Sequence, residues 1–274
     1  MKSLKFIIYG NILISVVAGA LVAVCSEYQG NPHSIGIGVT AFFATLFIYN
    51  MQRVLRLDEI AIQKSDRHHW LAKHSETIIV FSVIGWLGSV LTYFFWLQWD
   101  IDFWFLAVSA ILGILYAFKI HPKIAAIRDI PFLKIYLIAI QWALVTVYWP
   151  YIRIQDQIEL PIENLISVFF FILAITIPFD IRDLIYDDKE KCTIPQLLGI
   201  KGAKTVAVIA FLISASMLVL EDKSVLSINW FYITYSGAIL LVIFSTVKRH
   251  ELFYSGIIDG WIFAYVLLIY LLIH

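Results

Sequence analysis

Nine stretches of the chain are apolar for about the length that crosses a bilayer as a helix, near 5–25, 34–55, 77–97, 101–119, 132–150, 163–180, 204–220, 228–247 and 254–273. Polar residues gather between them, mostly in short loops, with two long exceptions at 57–76 and 181–203. This pattern predicts an all-α integral membrane protein, a nine-helix bundle forming one domain over 1–274. The long loops lie four helices apart, each after an even-numbered helix, which hints at a duplicated four-helix unit. Their letters do not align as a repeat. The first run, behind Lys2 and Lys5, has the outline of a signal peptide. No small-residue cleavage site follows it, and Val24 before Cys25 spoils a lipoprotein box, so a retained helix is expected.

Composition sharpens this picture. Hydrophobic residues make up 61% of the chain and charged ones 15%, with a mean hydropathy of +0.85, against roughly 45–50% and 25% in soluble domains. The formal net charge is zero, which gives no electrostatic pointer to nucleic acid. Cys25 and Cys192 are far apart in unlike settings and suggest neither a disulfide framework nor a zinc site. Of the 20 Lys and Arg, 18 fall at the N-terminus or in alternate loops; only Arg153 and Lys223 fall on the other side. By the positive-inside rule the N-terminus and the polar loops are cytoplasmic and the C-terminus outside, and the expected location is a bacterial cytoplasmic membrane.

The most informative polar stretch is Asp180–Gly199, DIRDLIYDDKEKCTIPQLLG. Asp180, Asp183 and Asp187 stand at i, i+3 and i+7. On a continued helix they share one face. Acids in such a stripe at a membrane boundary repel one another and resist desolvation. Mg²⁺ relieves that by bridging carboxylates to substrate phosphates. A solvated acidic loop balanced by Arg182, Lys189 and Lys191 explains the spacing equally well.

The letters then become specific. Asp180-x-x-Asp183-x-x-x-Asp187, followed by Lys191 and Thr193-Ile194-Pro195-x-x-Leu198-Gly199, resembles the second aspartate motif of the UbiA superfamily of intramembrane prenyltransferases. That resemblance implies nine transmembrane helices around a central cavity, with two aspartate motifs facing each other across it. It also implies Mg²⁺ ions that bridge the motifs to an isoprenyl diphosphate, and a lipophilic, typically aromatic acceptor that attacks the allylic cation. Carried over by position, Asp180, Asp183 and Asp187 would be metal ligands and Lys191 a diphosphate contact.

The first motif of the family, NDxxDxxxD, falls on Asn50-Met51-Gln52-Arg53-Val54-Leu55-Arg56-Leu57-Asp58. Asn50 and Asp58 match and are carried over as catalytic positions, Asn50 also as a metal ligand. Met51 and Val54 replace the two aspartates between them and cannot ligate Mg²⁺, which puts a second ion in doubt. Arg53 and Arg56 enter instead. Arg53 has three readings: a fixed cation that binds the diphosphate in place of a metal, a partner of the Asp180 cluster in a non-catalytic relative, or a snorkelling topology residue.

Other candidates are weaker. Tyr116, Lys119, Lys123 and Arg128 follow the fourth run, where the family has a tyrosine and basic residues near the diphosphate. Arg67 lies in the loop after the first motif, with His68, His69 and His74, which lack the acid or Cys that would complete a metal site. Asp259 is an intramembrane carboxylate, either a proton acceptor or substrate contact, or a partner of a neighbouring helix. Asn11 and Gln141 read as glue between helices. The aromatic load, 20 Phe, 14 Tyr and 9 Trp, suits both a polyprenyl-lined cavity and an interfacial belt. The leading expectation is Mg²⁺-assisted transfer of an isoprenyl group from its diphosphate to a lipophilic acceptor within the bilayer. A catalytically silent relative that binds a lipid or prenyl diphosphate, or serves as a partner subunit, is the alternative. A solute transporter is a third and is disfavoured by the apolar helix centres.

Overall fold

The computed structural model describes residues 2–56, 66–98, 102–117, 127, 130, 133–154, 159–186 and 192–274. Among these residues the secondary structure is helical throughout. The chain opens with α1 (Lys2–Tyr9) and α2 (Ile12–Tyr28), bent by 54° at the Gly10–Asn11 junction. Asn11 takes the left-handed backbone conformation there (φ 62°), which asparagine tolerates better than most residues. α3 (Ser34–Val54) is followed by the short α4 (Asp66–Lys73) and by α5 (Ser75–Thr92), which continues as a π turn over Tyr93–Leu97. α6 (Phe103–Ala117) comes next. Then α7 (Leu133–Ala143) runs through a second π turn, Leu144–Tyr148, into α8 (Trp149–Ile152). α9 (Ile162–Asp183), α10 (Ile194–Glu221) and α11 (Asn229–Phe244) precede a third π turn, Phe253–Ile258, and the last helix, α12 (Asp259–Ile273).

Six of these segments are long and apolar enough to span a membrane, or seven if the bent α1–α2 pair is one span. The fourth and eighth apolar runs form the shorter helices α6 and α11. The count of nine spans expected from hydropathy is therefore reached by length in only six or seven cases. The shape of the apolar surface agrees with a lipid-facing exterior. Ile79, Trp86, Phe95, Trp104, Leu212 and Ile243 are exposed on the outside of the bundle, and burial in lipid rather than in protein satisfies them.

Helices pack in a continuous series, α5–α3, α3–α2, α2–α12, α12–α11, α11–α10, α10–α9 and α9–α7. Small residues allow the closest approaches. A Cβ on Gly19 of α2 would stand 2.8 Å from the Gly38 carbonyl of α3, and one on Gly85 of α5 would stand 2.4 Å from the Phe47 amide nitrogen. Within the bundle a chain of hydroxyls ties α9, α10, α11 and α12 together. Ser167 and Ser214 bond across α9 and α10, Tyr265 reaches Ser167 Oγ at 2.9 Å and Tyr235 reaches Ser214 Oγ at 2.9 Å, all of them buried.

The Thr193–Gly199 segment explains itself as backbone geometry. Thr193 is the extended N-cap of α10, and its N–H donates to Gln196 Oε1 at 3.0 Å, half of a capping box. Pro195 stands in the first turn, where its missing N–H costs nothing. Gly199 breaks the helix with φ 69° and ψ 171°, a region essentially reserved for glycine.

Candidate anion-binding site at one end of the bundle

Buried charge collects at the end of the bundle where α3 and α9 terminate and α7 begins. α9 carries Asp180, Arg182 and Asp183 in its last turn. Lys134, in the first turn of α7, donates to Asp180 Oδ1 at 2.8 Å and lies 3.8 Å from Asp183 Oδ2. Arg182 holds Asp183 with a two-pronged grip, Nε to Oδ1 at 2.7 Å and Nη2 to Oδ2 at 3.0 Å. Its guanidinium also lies 5.1 Å from the Phe179 ring centroid and 5.6 Å from that of Tyr254, the latter placed by the π turn before α12. Arg182 Nη1 is buried and has no hydrogen-bond partner.

Four further charges face this cluster. Arg53 of α3 donates through Nη1 to the Tyr9 carbonyl of α1, and it lies in electrostatic range of Arg67, Asp259, Arg182 and Glu251. Arg67 of α4 pairs with Glu251 at 3.6 Å. Asp259, the first residue of α12, interacts with Arg182, Arg67 and Arg53. The neighbouring His68 is pushed down to about 4, first by burial and then by Arg67, so its imidazole is neutral at pH 7. Aromatic groups stand beside the charges: Trp142 Nε1 donates to Tyr49 OH at 3.2 Å, and Tyr49 is in electrostatic range of Tyr116 and Asp259.

The candidates named from the sequence divide into three groups. Asp180, Asp183, Arg53 and Asp259 come together in this cluster, and Tyr116 stands at its aromatic side. Asp259 lies in electrostatic range of three arginines on other helices, Arg53, Arg67 and Arg182. Arg53 lies in electrostatic range of Asp259 and Arg182. Asp58, Lys119, Lys123, Arg128, Asp187 and Lys191 lie outside the described residues.

Asn50 forms the third group, and it corrects the expectation of an open metal ligand. It is fully buried, accepts from Asn11 Nδ2 at 2.9 Å and donates to the carbonyls of Gly10 and Leu46 at 3.1 and 2.8 Å. Its carboxamide is thus spent on locking α3 to the α1–α2 bend. Of the expected acid stripe, α9 carries Asp180 and Asp183 in its last turn, and Asp187 lies outside the described residues.

Mg²⁺ can be tested against this donor set. Asp180 is closed by an ammonium, Asp183 by a guanidinium and Asn50 by amides and carbonyls. Among the described residues no group of three acid, His or Cys side chains is placed to hold a metal ion. The described donors therefore do not fit Mg²⁺.

Lys134, Arg182 and Glu251 were not among the residues singled out for the site. Lys134 and Arg182 had been counted only as topology or loop charge. The one available signal was Arg182's place between two motif acids in the last turn of a helix.

No protein-family model and no curated protein matches the chain in sequence. Solved structures do match in fold. The apo structure of a UbiA homolog from Aeropyrum pernix K1 is 13% identical, with 95% of each chain covered and a TM-score of 0.66. A UbiA homolog from Archaeoglobus fulgidus, bound to GPP and Mg²⁺, is 13% identical over 96% of this chain and 99% of its own, with a TM-score of 0.59. A structure described as giving insights into the biosynthesis of digeranylgeranylglyceryl phosphate synthase in membranes is 15% identical, covers 99% and 98%, and has a TM-score of 0.57. Over nearly its whole length, then, the chain has the fold of these UbiA homologs, as the resemblance implies.

Proposed function

We propose that this protein binds an isoprenyl diphosphate with its head group at the charged end of the bundle, and transfers the isoprenyl group to a lipophilic acceptor in the membrane. The observation that carries this reading is the meeting of Lys134, Arg182 and Arg53 beside Asp180 and Asp183, at the end of an apolar bundle with the UbiA fold. Such cations stabilise a leaving diphosphate by electrostatics, and the aromatic side chains Tyr49, Tyr116 and Trp142 suit an adjoining allylic cation. The solved homolog bound to GPP and Mg²⁺ supports the ligand class. The cytoplasmic orientation of this end follows from the basic loops.

A second reading keeps the binding and drops the chemistry. It is favoured by the two-pronged Arg182–Asp183 pair and by Met51 and Val54 where the family carries acids. Purified protein in liposomes, given labelled geranyl or farnesyl diphosphate and a panel of aromatic and lipid acceptors, separates the two. Transfer predicts label in a new lipophilic product with one diphosphate released per product. Binding without release identifies the silent relative, and absence of binding defeats both.

A further inference from the structure

The first motif and the charged cluster together suggest how the head group is held. The family motif carries three acids over NDxxDxxxD. Here the same nine residues carry Arg53, Arg56 and Asp58, a formal +1 in place of −3. That swing of four positive charges equals the charge of two divalent cations. Fixed cations can do the neutralising work of metal ions, and guanidinium matches phosphate oxygens two at a time.

The geometry is consistent with this exchange. Arg53 lies in electrostatic range of both Arg67 and Arg182 at the end of an apolar bundle, where like charges repel strongly. The acids facing them are Asp183, Asp259 and Glu251, and Lys134 reaches Asp180 and Asp183 from α7. Arg182 still holds a buried Nη1 without a partner, a donor position that an incoming anion would satisfy. Among the described residues, the two motif carboxylates Asp180 and Asp183 are taken up by Lys134 and Arg182.

Resting on the reading of the ligand as an isoprenyl diphosphate, we propose that its head group is bound without divalent metal, by the guanidinium groups of Arg53 and Arg182.

The test is calorimetric titration of geranyl diphosphate, and separately of inorganic pyrophosphate, into the full chain in detergent, with Mg²⁺ or with excess EDTA. The expected result is a Kd in EDTA within about threefold of that in Mg²⁺, and a rise of about tenfold or more in R53Q and R182Q. R53K and R182K keep the charge but lose the fork, and are expected to bind at intermediate strength. They serve if the glutamine variants do not fold, as judged by thermal melting and gel filtration. Binding that vanishes in EDTA and returns with Mg²⁺ overturns the metal-free site while leaving the proposed ligand intact. EDTA-resistant binding indifferent to all four variants overturns the assignment of the two arginines. No binding of geranyl diphosphate under either condition defeats the underlying reading of function as well.

Discussion

At the end of the bundle opposite the candidate site, Asp102 is buried and accepts three hydrogen bonds. They come from Tyr93 OH at 2.7 Å, Trp149 Nε1 at 2.7 Å and Arg153 Nη1 at 2.5 Å. Arg153 Nη2 donates in turn to the Leu97 carbonyl at 2.8 Å. One acid and one cation meet there, and neighbouring residues fill the coordination of the carboxylate. At the site end the charges share partners: Lys134 bonds Asp180 and reaches Asp183, which Arg182 also grips. Arg53 stands in range of the Arg67 and Arg182 guanidinium groups, and Asp259 in range of all three. On the function proposed above, the contrast separates charge that fastens helices from charge that meets a ligand.

Breaking one half of the fastening should have the largest effect. Asp102→Ala strands a buried guanidinium, and such truncations cost about 3–5 kcal/mol. The expected outcome is a large fall in the thermal midpoint in detergent, with the folded fraction still binding geranyl diphosphate normally. Loss of binding at unchanged stability would erase the distinction between the two ends.

Next in size is Gly199→Ala, near the site end. Its surroundings are open, with nothing within 4 Å of an added Cβ, so the effect is purely conformational. A non-glycine residue at φ 69° and ψ 171° is expected to lose about 1–3 kcal/mol, read from the same melting curves.

Smaller still is a pH effect that only the site end should show. His68 has a folded value of about 4 against 6.5 for the free side chain, so its neutral form is favoured in the fold. Its contribution is complete above 6.5 and is lost as pH falls from there toward 4. The thermal midpoint of the parent should drop over that window more than that of His68→Gln. Equal slopes would show that His68 is not buried neutral.

The last comparison replaces whole pairs. Asp102→Leu with Arg153→Met should lose less stability than Asp102→Ala, because no guanidinium is stranded, and what remains is the loss of an acceptor for the buried Tyr93 OH and Trp149 Nε1. The matching swap, Asp183→Leu with Arg182→Met, should also fold but fail to take up geranyl diphosphate by titration. A site-end double variant that binds like the parent would show that those charges only fasten helices too.

Much of this architecture was legible in the letters. Apolar run length marked the helices because a bilayer fixes their minimum span. The Thr193–Gly199 signature was visible because a cap, an early proline and a positive-φ glycine each demand particular residue types. What escaped was pairing. Lys134 meets Asp180 across 46 positions, and Arg153 meets Asp102 across 51; alternate-loop counting treats the two cations only as labels of sidedness. The spacing of Asp180, Asp183 and Asp187 suggested one continuous stripe; α9 carries the first two acids in its last turn, and Asp187 lies outside the described residues. Asn50 matched a family letter, yet its neighbour across the bend, Asn11, supplies the partner that occupies it.

The bend between α1 and α2 has a practical corollary. Asn11 grips Asn50, and one turn further on Arg53 rests on the carbonyl of Tyr9. The first nine residues are therefore mechanically attached to the first motif. An affinity tag or fusion partner that tugs on the N-terminus tugs on Arg53 as well. A purification handle belongs after His274, at the far end of the chain from that linkage.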